Sequence, residues 1–274
     1  MPTQPLLSVL VTSSAPIYDV HDPVCTLDIN GVRFMHFGQT TGDAAALQGV
    51  MRMAVPDQIE LEYVQQMMMW MLFPDDLSLF AGHIVQLGLG TAALTKCCYR
   101  QFPEARVSAI ELNPHVIAAC HDHFKLPPND ARLNVQCMDA LEFVMNPANH
   151  ASIAILQVDL YDAKAHGPVF SSSEFYQACA DCLTEDGMMT VNLFYDGEND
   201  GTHTAHNLQG LQAAFDAVVW LPEVHDANVV ALAFKRAPAI DFAALYVRAA
   251  EIRDATKLPA PYWVNGLQEW MAGG

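Results

Sequence analysis

The chain has 274 residues, and its 31 acidic against 13 basic side chains give a formal net charge of −18. This balance argues against a nucleic-acid partner, because no basic stretch is present to pair with phosphates. Hydrophobic residues make up 52% of the chain and charged residues 16%, a composition that excludes a disordered protein and can fill a large core. The acidity suits a cationic small substrate, but an ordinary acidic soluble protein would carry it equally well.

The sequence predicts a cytoplasmic protein that is not inserted in a membrane. The first residues, Met1-Pro-Thr-Gln-Pro-Leu, lack the basic start and the cleavage site of a signal peptide. No apolar run approaches the roughly 20 residues that a membrane span needs. The seven cysteines are odd in number and scattered, which is typical of reduced core thiols rather than of a disulfide framework.

Residues 6–55 predict a small antiparallel β sheet. Residues 24–37 alternate on both sides of Asn30-Gly31, and this dipeptide is the strongest short-range signal for a hairpin. Residues 7–11 and 48–55 are further candidate strands. We therefore predict an N-terminal β domain over residues 1–56 and a Rossmann-like, nucleoside-binding catalytic domain over residues 57–274.

The segment after this sheet predicts a helix that ends before Pro74. Pro56-Asp57-Gln-Ile-Glu60 resembles a capping box, so the predicted helix runs from there to about Phe73. Its Met-rich stretch, residues 67–71, is compatible with an adaptable binding or dimer surface. Consecutive apolar residues on all sides of a helix favour burial instead.

From His83 onwards the pattern alternates between strand and helix. Such alternation indicates an α/β fold with a mostly parallel sheet covered by helices on both faces. Two strands near 217–221 and 228–234 are too close for a crossover helix and predict an antiparallel hairpin at the sheet edge. An amphipathic helix is predicted over 241–254, followed by a Pro-rich stretch and a short tail. The other predicted strands are 84–88, 106–111, 133–137, 152–158 and 187–194, and the other predicted helices are 91–102, 114–124, 139–145, 173–183 and 206–215.

A glycine turn and a series of strand-end acids indicate a nucleoside site. Gly88 and Gly90 allow a sharp turn from strand to helix that leaves backbone N–H groups facing a ligand. Glu111 ends a candidate strand, and Asp139 and Asp159 each follow one; open parallel sheets bind ligands beyond those strand ends. The turn with Glu111 also satisfies a loose dinucleotide fingerprint.

Three further features favour an S-adenosyl ligand over a dinucleotide. Asn113-Pro114 starts the next helix almost directly after Glu111. Asp139 is placed to accept from an adenine amine, although it is equally suited to cap a helix. Asp159 brings a further acid to the same rim, which suits an adenosine that carries a positive centre.

These residues resemble the polyamine aminopropyltransferases, the spermidine synthase family, which share the seven-stranded fold of class I S-adenosylmethionine methyltransferases. The resemblance covers most of the chain and thins after about residue 200. It is carried by ordered motifs: Gly88-Leu89-Gly90-Thr91, Glu111, Asp139-Ala140, Asp159-Leu-Tyr-Asp162, Gly167-Pro168 and the Phe170 to Tyr176 helix start.

The resemblance implies aminopropyl transfer from decarboxylated S-adenosylmethionine to a di- or polyamine, by a homodimer and without a metal. Asp159 would act as the base, and Asp162 would bind the acceptor amine. Tyr63 lies near the family's substrate-side tyrosine. The remaining expected donor contacts are backbone approach at Gly88, Leu89 and Gly90, the ribose at Glu111 and Leu112, and the adenine at Met138, Asp139 and Ala140.

The chain also departs from the family pattern. The family's glycine turn contains an Asp that contacts the donor's amino tail, and Thr91 with Ala92 and Ala93 occupies that part of the turn here. Asn192 stands where the family has a Gln. A methyltransferase that uses intact S-adenosylmethionine, and a nucleoside-binding protein without catalysis, therefore remain alternative interpretations.

Two motifs have plainer explanations than a metal or redox site. Cys179-Ala-Asp-Cys182 has no second Cys or His pair at metal spacing, which favours core packing. His203-x-x-His206 lies beside several acids, which predicts a solvated loop and a helix start rather than a metal site.

Overall fold

The computed structural model describes residues 23–37, 47–161, 170–194, 202–221 and 228–273. The first sheet contains β1 (Val24–Ile29), β2 (Val32–Phe37) and β3 (Leu47–Arg52), in that order and antiparallel. Asn30 and Gly31 have φ values of 51° and 81°, as a two-residue hairpin turn requires. The predicted N-terminal hairpin and sheet are thus confirmed, whereas the candidate strand at residues 7–11 lies outside the described residues.

The second sheet has seven strands in the order β6-β5-β4-β7-β8-β10-β9. All its pairings are parallel except those of β10, which runs antiparallel to β8 and β9. The predicted α/β fold and its edge hairpin are confirmed. The chain order reverses between β4 and β7, and this is where open α/β sheets bind ligands. The strands are β4 (His83–Leu87), β5 (Arg106–Glu111), β6 (Leu133–Cys137), β7 (Ile153–Val158), β8 (Leu183–Phe194), β9 (Ala217–Trp220) and β10 (Asn228–Phe234).

The helices connect these strands and cover both faces of the sheet. Helices α2 to α7 lie within a few residues of their predicted positions. They are preceded by the short helix α1. The helices are α1 (Glu62–Gln66), α2 (Ala93–Gln101), α3 (Pro114–His123), α4 (Ala140–Met145), α5 (Ser173–Cys182), α6 (Thr202–Ala214), α7 (Phe242–Thr256) and α8 (Ala260–Gly273).

The long helix predicted from Asp57 to Phe73 is wrong. Within this stretch only α1 is α-helical, and a 3₁₀ turn at Met69–Leu72 follows it. The acids of the apparent capping box have partners on other elements, because Asp57 pairs with Arg100 and Glu60 pairs with Arg52. Tertiary ion pairs have therefore replaced the local caps that the sequence pattern predicted.

The Met-rich stretch is buried, as predicted. Residues 67–71 are between 0 and 3% exposed and belong to the core cluster between the seven-stranded sheet and its helices. Gln157 on β7, also fully buried, donates from Nε2 to the Met67 carbonyl oxygen at 3.2 Å. This bond ties the end of α1 to the central strand and holds the segment that carries Tyr63.

The C-terminal tail forms a helix that the sequence analysis missed. Helix α8 buries Trp263, Val264 and Leu267, which recur at the helical spacing i, i+1 and i+4. Pro261 lies in its first turn, where a missing N–H costs no intrahelical bond. The prolines therefore mark the start of a helix and not an irregular tail.

The cysteines are free thiols, and Cys179 and Cys182 are buried in the core as predicted. Within the described part of the chain, no helix combines the length and the apolar character needed to cross a membrane.

Candidate active site

The glycine turn closely approaches the end of a neighbouring strand. Gly88 has φ 85°, and a Cβ atom there would collide with the Asp159 carbonyl oxygen. The Gly88 N–H donates to the Ile110 carbonyl at 2.8 Å, and the Asp159 N–H donates to the Leu87 carbonyl at 2.9 Å. The ends of β4, β5 and β7 therefore meet at this turn. Only glycine satisfies both the positive φ and the contact at position 88.

Glu111 closes the turn from the end of β5. Its Oε2 accepts from the Leu89 N–H at 3.0 Å and its Oε1 from the Asn113 N–H at 2.8 Å. Burial raises the pKa of Glu111, and the Asn113 and Leu89 N–H donors oppose that rise. Each oxygen keeps a second acceptor position, as two ribose hydroxyls would require.

Asp139 lies at the end of β6, the strand next to β5, and caps α4. Its Oδ1 accepts from the Leu141 N–H at 2.7 Å and the Glu142 N–H at 3.4 Å. The Met138 N–H donates to the Glu111 carbonyl at 3.0 Å, so the two strand ends are joined. Of the flanking predicted donor contacts, Leu112 and Met138 are half-buried and Ala140 is buried.

Asp159 follows β7 and receives two side-chain hydrogen bonds. Asn192 on β8 donates from Nδ2 to Oδ1 at 3.0 Å, and the Tyr63 hydroxyl lies 3.5 Å from Oδ2. Burial raises the pKa of Asp159, and these two donors oppose the rise. The carboxylate is therefore more basic than a water-exposed Asp, which favours a role as proton acceptor.

Asn192 and Tyr161 form a second layer around this carboxylate. The Asn192 Oδ1 is buried and has no hydrogen-bond partner in the described part of the chain. The Tyr161 hydroxyl donates to the Asn192 carbonyl oxygen at 3.3 Å. This role of Tyr161 could not be predicted from the sequence, since a residue three positions after the end of β7 carries no pattern that predicts the direction of its side chain.

A narrow cavity lies between the first sheet, α1 and the glycine turn. Its empty volume is about 340 Å³, including the open mouth. Glu111 and Asp139 are not among its lining residues and lie beyond the turn at the ends of β5 and β6. It is lined by Gln48, Gly49, Val50, Ile59, Glu60, Leu61, Tyr63, Val64, Gln86, Leu89, Gly90, Thr91, Ala93, Leu94 and Asp159.

Strand β3 packs directly on the glycine turn. Thr91 is 4% exposed, and its Oγ1 donates to the Val50 carbonyl oxygen at 3.4 Å. A Cβ atom on Gly49 would lie 2.8 Å from the Thr91 side chain, and one on Gly90 would lie 3.0 Å from the Gln48 carbonyl oxygen. Gly49 and Gly90 thus allow β3 and the glycine turn to pack closely and to form one wall of the cavity together.

Some predicted features lie outside the described residues. They include Asp162, the Gly167-Pro168 loop and the side chains of His203 and His206. Among the residues that the structure does describe, no three His, Cys, Asp or Glu side chains are grouped to bind a metal ion.

Comparison with known sequences identifies relatives over most of the chain. Residues 99–198 match the sequence model of the spermine/spermidine synthase domain. A polyamine aminopropyltransferase of Neisseria meningitidis is 28% identical over 208 residues, which are 76% of this chain and 74% of the relative. One from Chromobacterium violaceum is 26% identical over 239 residues, 87% of this chain and 86% of the relative.

Solved structures share the fold at lower sequence identity. A probable spermidine synthase from Corynebacterium glutamicum superposes with a TM-score of 0.64 at 16% identity, covering 88% of this chain and 94% of the other. Human methyltransferase-like protein 13, in complex with SAH, gives 0.63 at 18% identity, with coverage of 72% and 93%. The resemblance predicted from the motifs is confirmed: the chain is similar to polyamine aminopropyltransferases and has the class I methyltransferase fold.

Proposed function

We propose that this protein transfers an aminopropyl group from decarboxylated S-adenosylmethionine to a di- or polyamine. The observation that carries the proposal is the Asp159 carboxylate, which lies beside the glycine turn and lines a cavity with no Lys, Arg or His among its described residues. A cationic donor and a cationic acceptor both suit such a wall. The relatives with this family name support the same reaction.

The roles of the residues follow from their positions. The Gly88-Leu89-Gly90 backbone allows the nucleoside to approach, Glu111 accepts from the ribose hydroxyls, and Asp139 accepts from the adenine amine while it caps α4. Leu112, Met138 and Ala140 flank the base. Asp162, outside the described residues, is proposed to bind the second charge of the acceptor.

The chemistry needs one proton acceptor and an aligned nucleophile. The amine nitrogen forms a bond to the carbon beside the sulfonium, and the carbon–sulfur bond breaks with its electron pair passing to sulfur. Methylthioadenosine leaves, and the amine proton passes to Asp159, whose position is fixed by Asn192. The positive sulfur already activates the leaving group, and alignment of amine and carbon supplies the remaining rate enhancement.

A product assay tests this proposal. Purified protein is incubated with di- and triamines and with either intact or decarboxylated donor. We expect methylthioadenosine and an aminopropylated amine from the decarboxylated donor. Formation of S-adenosylhomocysteine from the intact donor would instead establish the methyltransferase alternative, and nucleoside binding without any product would establish the non-catalytic one.

The catalytic base is tested separately. Asp159→Asn should lower kcat by about 10² to 10⁴-fold, because the proton acceptor is lost, while methylthioadenosine affinity measured by calorimetry stays unchanged. Asp122→Asn, which changes an exposed acid on α3, is the matched control and should retain full activity. Full activity of Asp159→Asn would refute the role of Asp159.

The homodimer and the cytoplasmic location remain predictions. Light scattering of the purified protein tests the first of these.

A further inference from the structure

The cavity contains a second carboxylate, which the proposed reaction does not yet use. Glu60 lies between β3 and α1 and lines the same cavity as Tyr63, Thr91 and Asp159. Glu60 and Asp159 are the acidic residues among its described lining, and no basic side chain lines it. The position of Glu60 therefore needs an explanation beyond its ion pair.

Glu60 is held in place from the solvent side. Arg52 donates from Nε to Oε1 at 3.1 Å and from Nη2 to Oε2 at 2.6 Å. The Arg52 side chain is 50% exposed and that of Glu60 13%, so the guanidinium approaches from outside. Each carboxylate oxygen accepts more than one hydrogen bond. Glu60 thus keeps acceptor capacity in a fixed position at the cavity.

The glycine turn offers no acid to this cavity. Thr91 is turned towards β3, where its hydroxyl donates to the Val50 carbonyl oxygen. Gly49 and Gly90 have no side chain that could bind a ligand, and the Gln86 Oε1 already accepts from the Thr95 hydroxyl. If Asp159 receives the proton of the acceptor amine, Glu60 is the lining carboxylate left for another positive group.

We infer that Glu60 binds the primary ammonium at the end of the donor's three-carbon tail and thereby selects a decarboxylated donor. This inference rests on the proposed function, since it assigns the donor tail to the cavity beside Asp159. A charge-assisted hydrogen bond to a fixed carboxylate is among the strong ones in proteins. A donor that still carried its α-carboxylate would bring a like charge towards Glu60 and Asp159.

Two nucleosides that differ in the tail test the inference without requiring catalysis. One is methylthioadenosine, which has no charged tail, and the other is S-adenosyl-3-thiopropylamine, a neutral thioether with the ammonium tail. We expect the wild type to bind the tailed nucleoside at least about tenfold more tightly in calorimetry, as a charged hydrogen bond provides. Glu60→Gln should abolish this preference and leave methylthioadenosine affinity unchanged.

Two further variants separate charge from structure. Glu62→Gln changes an exposed acid on α1 that does not line the cavity, and it should keep the preference. Glu60→Asp retains the charge and should keep part of the preference. The inference is wrong if Glu60→Gln keeps the full preference for the tailed nucleoside. It is also wrong if Glu60→Gln loses affinity for both nucleosides equally while Glu60→Asp binds both with normal affinity and without a preference.

The Glu60 binding test and the aminopropyl transfer assay can fail independently of each other. A wild type that shows the Glu60-dependent preference but transfers no aminopropyl group would refute the proposed reaction and leave the tail site standing. A wild type that transfers the group while Glu60→Gln retains the preference would refute the tail site alone.

Discussion

Asn192 adjusts the charge state of the candidate base at the scale of a single residue. Its Nδ2–H donates to the Asp159 carboxylate and opposes the rise in pKa that burial causes. Asn192→Leu has similar volume but no donor, so we expect the pKa of Asp159 to rise further. The acid limb of log kcat/KM against pH should then move to higher pH than in the wild type, since the proposed mechanism requires the ionised carboxylate.

Ionisation of the acceptor amine contributes equally to the pH profiles of the wild type and of Asn192→Leu. The difference between the two profiles therefore reports on the ionisation of a group in the protein. Coinciding acid limbs would mean that Asp159 does not titrate in the rate-limiting step.

Thr91 stands where the family pattern has an acid, but its surroundings do not suit a charge. It is 4% exposed and packs against Gly49. We therefore expect Thr91→Asp to lose about 3 kcal/mol or more of unfolding free energy, because a carboxylate would be buried there without a cationic partner.

Thr91→Val keeps the shape and loses only a long hydrogen bond, so a cost of about 1 kcal/mol or less is expected in urea unfolding. A stable Thr91→Asp variant that binds the tailed nucleoside more tightly would show that an acid at position 91 reaches the donor's tail, against the role given to Glu60.

The strand-end acids could be predicted from the sequence because the end of each apolar run marks the end of a strand. Glu111, Asp139 and Asp159 each lie at the end of a clear apolar strand, and the neighbours of these strands in the sheet follow from the α/β pattern. Tyr63 and Glu60 reach the cavity from another element, and their contacts depend on how that element docks. Neither periodicity nor spacing carries that information.

Lys96 joins three elements and shows what their packing requires. The lysine is 1% exposed, and its ammonium donates to the carbonyl oxygens of Pro56 at 2.8 Å and Phe124 at 2.7 Å. Burial lowers its pKa from 10.5 to about 8. Between these two values the unfolded chain binds more protons than the folded one, so this residue makes stability rise with pH there.

The unfolding free energy of the wild type minus that of Lys96→Met should therefore increase by about 2 kcal/mol from about pH 7 to about pH 9.5. Urea unfolding of both proteins at the two pH values measures it. Lys235→Met is the control, because Lys235 also donates to two carbonyl oxygens but is half-buried. An equal increase for both lysines would mean that burial is not the cause.

Helix α1 illustrates why an element can be mispredicted while its burial is predicted correctly. The Met-rich stretch had to be covered whatever its backbone conformation, since its apolar side chains point in all directions. The helix start depended instead on Asp57 and Glu60, and arginines on other elements bind both. Local capping signals hold only when no tertiary partner competes for the same side chains.

The net charge of −18 acts on the molecule as a whole. A polycationic acceptor is attracted over a range set by screening, and the Debye length shrinks from about 30 Å at 0.01 M salt to about 8 Å at 0.15 M. We expect kcat/KM for a triamine to fall about fivefold or more over this range, with little change in kcat. Methylthioadenosine, which is uncharged, should bind equally at both salt concentrations; a parallel loss of its affinity would indicate a salt effect on the fold instead.

The overall architecture followed from the regular alternation after His83, whereas the division of the chain near residue 56 stays a prediction. The contact of β3 with the glycine turn bears on that division, because Gly49 packs on Thr91 and the Gln48 carbonyl faces Gly90. The hairpin sheet is thus one side of the cavity that we propose binds the donor, rather than an accessory placed beside it. A fragment starting at residue 57 would keep every strand-end acid and still leave its ligand open to water on one flank.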